Sequence, residues 1–261
     1  MTFLEMHRPG APFVLANAWD IGSARMLTAM GAQAIATTSA GFAFTRGVGD
    51  GGKVGRDEAV AHGAELARAV NVPVLADLED GYGPEPADAA ETVAAAARAG
   101  LAGCSIEDVD GTGAPYGRVA SVARIEAAVA VRPEGFVLCA RADGVMHGAY
   151  DLDEAIARLQ AMREAGADVL YAPVPGSADD LARLVREVGG RVNALAVGPL
   201  AQLSLADFAE IGVARVSLGS ALSRVTHRAI LEAGGAMLAG DFTAKGASGA
   251  EIDALLAKGT P

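Results

Sequence analysis

Carboxylates gather at a few places in this 261-residue chain. Asp77-Leu78-Glu79-Asp80-Gly81-Tyr82-Gly83, Ser105-Ile106-Glu107-Asp108 and Ala140-Arg141-Ala142-Asp143 each follow a short apolar run, as does Asn17-Ala18-Trp19-Asp20 near the N-terminus. Acids grouped at strand ends repel one another and lose hydration, so they need a compensating cation. A divalent ion with oxygen ligands is the simplest one, and Asp77, Glu79 and Glu107 are its candidate ligands. Hard oxygen donors with room for water suit Mg²⁺, and also Mn²⁺. Asp77 and Glu79 stand two apart, which puts both on one side of an extended strand. The blander reading, in which acids cap helices or pair with arginines, weighs most on Asp80 and Asp108.

Arg141 closes an apolar run that cannot easily bury an unpaired charge. A fixed guanidinium there would grip a carboxylate or phosphonate in two places; the alternative is an ion pair with one of the acids. Ser39-Ala40-Gly41 follows another apolar run, and backbone N–H groups of such small residues approach a substrate carboxylate closely. The glycine-rich stretch 47–52 reads as a mobile lid that carries Asp50 inward, or as a plain flexible connection. Asp50, Tyr82 and Tyr116 are the proton-handling candidates, Trp19 and Asn193 further substrate contacts, and His147 lies within reach in the loop after Arg141.

Absent residues narrow the chemistry. Lys53, Lys245 and Lys258 are the only lysines and none lies in a strand-like run, which disfavours a Schiff-base aldolase. His7, His62, His147 and His227 are scattered with no zinc-binding pair spacing.

Apolar runs of strand length fall at 13–16, 34–39, 72–78, 103–106, 136–141, 169–173, 192–197 and 215–218, mostly continuous rather than alternating. That marks strands buried on both faces of a parallel sheet. Helical periodicity fills the gaps at 23–30, 56–70, 86–99, 119–131, 152–165, 178–188 and 205–211, with glycine stops at Gly31, Gly100, Gly166 and Gly212 and N-caps at Asp151 and Ser204. The alternation predicts an α/β fold, a TIM (β/α)8 barrel with extra C-terminal helices. A doubly wound sheet is the competitor, weakened by the missing Gly-x-Gly-x-x-Gly after the first strand. No linker divides the chain, so 1–261 is expected as one domain. The extension 221–261 exceeds what a barrel needs and is expected at a subunit interface.

A net charge of −11 argues against a nucleic-acid surface. With no signal-like start and no run approaching a membrane span, a cytoplasmic protein is expected. Cys104 and Cys139 lie in apolar runs and read as structural thiols of a reducing compartment.

At these residues the chain resembles the isocitrate lyase/phosphoenolpyruvate mutase superfamily, from about Pro12 to Arg224, through Asp77-x-Glu79-Asp80-Gly81-Tyr82-Gly83, Ile106-Glu107-Asp108, Asn17-Ala18-Trp19-Asp20, Thr38-Ser39-Ala40-Gly41, Ala140-Arg141-Ala142-Asp143 and Arg215-Val216-Ser217-Leu218-Gly219. The resemblance implies TIM barrels, usually homotetramers with a swapped C-terminal helix, that use Mg²⁺ to bind a 2-oxo acid and stabilise an enolate as a C–C or P–C bond breaks or forms. It implies Asp77 as direct metal ligand, Glu79 and Glu107 as ligands acting largely through water, Ser39–Gly41 as carboxylate cradle, Arg141 as grip on the distal anion and Asp50 as the acid of a gating loop. Lyases of this group carry a Lys-Lys/Arg-Cys-Gly-His run after the fourth strand. Here residues 109–117 contain no Cys, His or Lys, so isocitrate cleavage is not expected, and the lysine frequent in mutases is missing too. The leading expectation is a Mg²⁺-dependent lyase of a small 2-oxo dicarboxylate. Phosphonopyruvate-type P–C chemistry and a non-catalytic 2-oxo acid binder are the alternatives.

Overall fold

The apolar runs pair with one another as parallel strands, in chain order, around a closed ring. In the computed structural model, which describes residues 1–261, the strands are β1 (Phe13–Val14), β2 (Ala16–Asn17), β3 (Ile35–Ala36), β4 (Val74–Asp77), β5 (Gly103–Ile106), β6 (Val137–Arg141), β7 (Val169–Tyr171), β8 (Val192–Leu195) and β9 (Arg215–Ser217). The expected first run is split. β1 pairs with β9, β2 pairs with β3, and the partner changes between Leu15, whose N–H donates to Val216, and Ala16, whose N–H donates to Ala34. That change closes the sheet, so the eight expected runs form a TIM (β/α)8 barrel.

Helices surround it: α1 (Phe3–Met6), α2 (Ile21–Ala29), α3 (Ser39–Thr45), α4 (Arg56–Ala69), α5 (Pro86–Arg98), α6 (Arg118–Val131), α7 (Leu152–Glu164), α8 (Ala178–Val188), α9 (Leu205–Ile211), α10 (Ala221–Ala229), α11 (Gly235–Leu238) and α12 (Gly249–Lys258). The four expected glycine stops all have positive φ, and Asp151 and Ser204 both accept an N–H of the first turn. Periodicity missed α1, whose four residues are too short to show a repeat, and α3, whose Ser-Ala-Gly start reads as the end of a strand. In α3 the Thr38 side chain accepts the Gly41 N–H and starts a helix at the Ser39-Ala40-Gly41 segment.

Alternate strand residues face opposite ways. Ile106, Leu138 and Leu170 pack outward against the helices, while Leu75, Cys139, Tyr171 and Leu195 fill the barrel. The register sets Ser105 beside Cys139, which leaves Cys104 facing out and Cys139 facing in. Both cysteines are therefore free and buried, as expected. Helix α1 closes one end of the barrel: Phe3, His7 and Phe13 meet edge to face with ring centroids 4.9 to 6.4 Å apart. The opposite end holds the acids.

Beyond the barrel, α10 continues through a π turn (Ile230–Gly234) into α11, and α12 returns to pack on α2. Val225, Ile230, Leu231, Leu238 and Phe242 on this extension are exposed. No helix is long and apolar enough to cross a membrane.

Candidate active site

Asp77 ends β4 and Arg141 ends β6, so the barrel itself holds both side chains at its mouth. Asp77 Oδ1 accepts from Arg141 Nη1 at 2.9 Å and from Ser105 Oγ at 3.2 Å, and Oδ2 accepts the Ser39 N–H at 3.2 Å. Arg141 Nη1 is also 2.9 Å from Glu107, while Nε and Nη2 grip Asp143 at 2.9 and 2.6 Å. The guanidinium lies 5.0 Å from the centre of the Tyr171 ring. The guanidinium fork of Arg141, expected to grip a distal anion, faces three acids here. Burial works against its charge, but Asp143, Glu107 and Asp77 together hold its pKa well above the ordinary value.

Glu79 does not share a strand face with Asp77. The strand ends at Asp77, and Glu79 takes a left-handed φ of 46°, a conformation uncommon for a side-chain-bearing residue. Its Oε2 accepts the Gly52 N–H at 2.9 Å, which ties the strand end to the glycine-rich loop. Burial, helped by the charges of Asp77, Asp50 and Asp80 and opposed by the Gly52 N–H, lifts the Glu79 pKa to about 7. Burial also raises Asp50, with Asp77 adding to it, and raises Glu107 well above the carboxylate range despite Arg141 beside it. Asp143 is raised by burial as well.

Two adjoining chambers open at this end. The outer one, of about 250 Å³, is walled by the loops that follow β3, β5 and β6, including Gly51, Gly111, Thr112, Gly113 and His147. Six acids line it, Asp50, Glu79, Asp80, Glu107, Asp110 and Asp143, against one arginine, Arg141. The inner chamber, of about 170 Å³, dips into the barrel between Leu15, Leu75, Tyr171 and Leu195, with Thr37, Ser105, Asn193, Ser217 and Arg215 as polar lining. Ser39, Asp50 and Arg141 border both chambers.

The structure thus brings together Asp50, Asp77, Glu79, Glu107, Arg141, Ser39, Ala40 and Asn193, and puts His147 on the outer wall. It leaves out Trp19, whose N–H donates to Ser23 and whose side chain packs beside Gly41. Tyr82 borders two other hollows beside Glu79 and packs on the core, so its expected proton role lacks contact with either chamber. Gly41 lines no chamber and its N–H is held by Thr38; the Ser39 N–H is held by Asp77. The expected cradle is the first turn of α3, with two of its three donors already engaged. Tyr116 donates to Asp80 at 2.6 Å. Asp108 is structural, accepting from Arg158, Tyr150 and the Asp143 N–H. Sequence reasoning missed Arg215. Its signal was present, since Arg215 and Ser217 stand two apart in an apolar run and share the inward face.

The donor chemistry fits a divalent cation. Six acids facing one guanidinium leave a surplus of negative charge that burial makes costly, and hard oxygens suit Mg²⁺ or Mn²⁺. No three of the acidic side chains converge closely enough to chelate an ion by themselves. Arg141 stands between Asp77 and Glu107, so water must complete any such shell.

Among known proteins, the phosphoenolpyruvate phosphomutase family matches residues 3–238. A crystal structure from Burkholderia cenocepacia J2315, described by the class lyase/mutase with no substrate, superposes with a TM-score of 0.92 at 44% identity, over 98% of this chain and 94% of that one. An uncharacterised protein of Mycobacterium tuberculosis is 39% identical over 221 residues, 84% of this chain and 82% of its own. The 2,3-dimethylmalate lyase of Eubacterium barkeri is 30% identical over 187 residues, 68% of this chain and 64% of its own.

Proposed function

Because the chain belongs to the phosphoenolpyruvate phosphomutase family, within the phosphoenolpyruvate mutase/isocitrate lyase superfamily, we propose that it is a divalent-metal-dependent lyase that breaks a C–C bond of a small 2-oxo dicarboxylate, by decarboxylation or retro-aldol-type cleavage. The observation that carries this reading is the pairing of the two chambers: an outer one with six acids and one arginine, and an inner one where neutral polar groups and a second arginine, Arg215, join Asp50, Asp77 and Arg141.

Asp77, Glu79 and Glu107 would hold the metal, which supplies a Lewis acid that draws electrons from the 2-oxo carbonyl. Arg141 fixes the positions of Asp77 and Glu107 at the mouth through contacts of 2.9 Å to each. Cleavage beside the carbonyl leaves an enolate that must gain a proton at carbon. Asp50 borders both chambers and has a raised pKa, so it is the residue proposed to deliver that proton. Gly51 and Gly52 meet Gly111 across the mouth, where these loops would limit the entry of water. A dicarboxylate substrate agrees with the name of the dimethylmalate-cleaving relative. The missing Cys, His and Lys in 109–117 turn the reading away from isocitrate-type substrates.

We also assign 221–261 to a subunit interface in a homo-oligomer. Its exposed apolar residues Val225, Ile230, Leu231, Leu238 and Phe242 have no cover within the chain; a monomer by light scattering would refute it. The free thiols fit a cytoplasmic setting.

The test is an NMR time course with Mg²⁺ over oxaloacetate, 2-oxoglutarate, 4-hydroxy-2-oxo acids, phosphonopyruvate and phosphoenolpyruvate. Pyruvate appearing from a 2-oxo dicarboxylate, and stopping on chelation, supports the lyase. A changing ³¹P signal instead means P–C chemistry, and line broadening without turnover means a binder.

A further inference from the structure

Arg215 is 2% exposed, lies inside the barrel and has no carboxylate partner. Its contacts are all neutral side chains. Nε donates to Asn193 Oδ1 at 2.8 Å, Nη1 meets His7 Nε2 at 3.2 Å and Nη2 meets Cys139 Sγ at 3.2 Å. The His7 tautomer follows from its other bond. Nδ1 lies 2.8 Å from the Phe3 carbonyl, which can only accept, so Nδ1 carries the proton and Nε2 offers a lone pair to Arg215. Burial, with the Arg215 charge beside it, pushes the His7 pKa down to about 3 and keeps the ring neutral. Asn193 is oriented in turn by donating to Ser217 Oγ at 2.9 Å.

These groups aim the guanidinium and leave its charge uncancelled. Asp77, the acid lining the same chamber deepest in the strand layer, has both oxygens committed to Arg141, Ser105 and the Ser39 N–H. An unpaired buried charge is costly, and an apolar residue of similar shape in its place is generally neutral or stabilising. A guanidinium has five N–H donors, of which three are engaged here, so two remain unengaged on a residue that lines the chamber. Leu15, Leu75, Tyr171 and Leu195 form the apolar part of the wall, and low-dielectric surroundings strengthen a charge–charge contact.

We infer that Arg215, held by His7, Asn193 and Cys139, forms the subsite for the second carboxylate of the ligand and selects dicarboxylates over monocarboxylates. This deepens the proposed lyase function and rests on it: the metal-facing 2-oxo end lies toward the acids and Arg141, and the distal carboxylate points into the barrel. It gives the distal-anion role to Arg215 and leaves Arg141 to the three acids that fill its fork.

The test measures dissociation constants of pyruvate, oxaloacetate and 2-oxoglutarate with Mg²⁺, by calorimetry and ligand-induced shift in Tm, for the wild type, R215M and R215K. The wild type is expected to prefer at least one dicarboxylate to pyruvate by about ten-fold or more, the scale of one charge-assisted contact. R215M should lose that preference while its pyruvate affinity stays within about two-fold and its unliganded Tm does not fall. R215K should keep part of the preference. An R215M protein that still prefers the dicarboxylate overturns the subsite alone. A wild type that binds none of the three acids overturns the subsite and the lyase reading together. Loss of pyruvate and dicarboxylate binding in both variants, with a lower Tm, assigns Arg215 a purely structural role and also overturns the inference.

Discussion

Arg141 and Asp77 form a 2.9 Å ion pair across the barrel mouth, with their side chains only 11% and 15% exposed. The residue proposed as the direct metal ligand is thus paired with the arginine, and a cation bound there would have to redistribute that pair. The same guanidinium nitrogen is 2.9 Å from Glu107, so the two acids respond together.

Asp77→Ala is expected to lower metal-dependent turnover by at least about 100-fold, the loss of several kcal/mol of transition-state stabilisation. The protein should stay folded, because Arg141 keeps Glu107 and Asp143. Steady-state kinetics with circular dichroism checks it; turnover near the wild-type rate would end the assignment of Asp77 to the metal.

Arg141→Met leaves Asp77, Glu107 and Asp143 without their common cation. Removing one partner of a buried ion pair costs about 3 kcal/mol or more. The loss should shrink as pH falls, because protonating these acids removes the uncompensated charge. Urea unfolding at pH 7.5 and 5.5 reads both effects, and equal losses at the two pH values would contradict the account.

Glu79 sets a pH dependence of opposite sign to an ordinary surface carboxylate. Its folded pKa, about 7, lies above the ordinary 4.5, so the folded protein binds this proton more tightly than the unfolded chain does. Its contribution to stability therefore declines as pH rises from about 4.5 to 7 and is flat beyond. Tm of the metal-free protein should fall over that window, Glu79→Gln should flatten part of the fall, and Mg²⁺ should raise Tm more at pH 8 than at pH 5.5. Identical slopes in wild type and variant would show that Glu79 is not the source.

The loops at the mouth meet glycine to glycine. A Cβ on Gly111 would lie 3.0 Å from Gly52 Cα, and one on Gly51 would lie 2.8 Å from the Gly111 carbonyl, where φ is also +86°. Gly111→Ala should hold the two loops apart, withdraw Asp50 and lower kcat/KM by about ten-fold or more. Tm should scarcely change, because residues 51–52 and 111–112 carry little of the core. Unchanged kinetics in a folded Gly111→Ala protein would remove these loops from the reaction.

Strands and helices were legible in the sequence because their signals are local. Continuous apolar runs mark two-sided burial, and the glycines at 31, 100, 166 and 212 stop helices by adopting a φ that other residues resist. The acids at 77, 79, 107 and 143 were equally visible, since a charge ending an apolar run stands out wherever the chain then goes. Tertiary structure decided what these residues touch. That Arg141 meets Asp77 and Glu107 as well as its near neighbour Asp143, that Glu79 leaves the strand direction, that Tyr82 and Trp19 miss the cavity, and that the first strand divides to close the ring are settled by how distant segments come together. Arg215 shows the same division: its inward face follows from strand alternation, but its neutral cage joins His7, Cys139 and Asn193 from three distant segments. Hydrophobic pattern determines which faces are buried, whereas the pairing of charges inside the barrel is set by geometry that no local stretch of sequence contains.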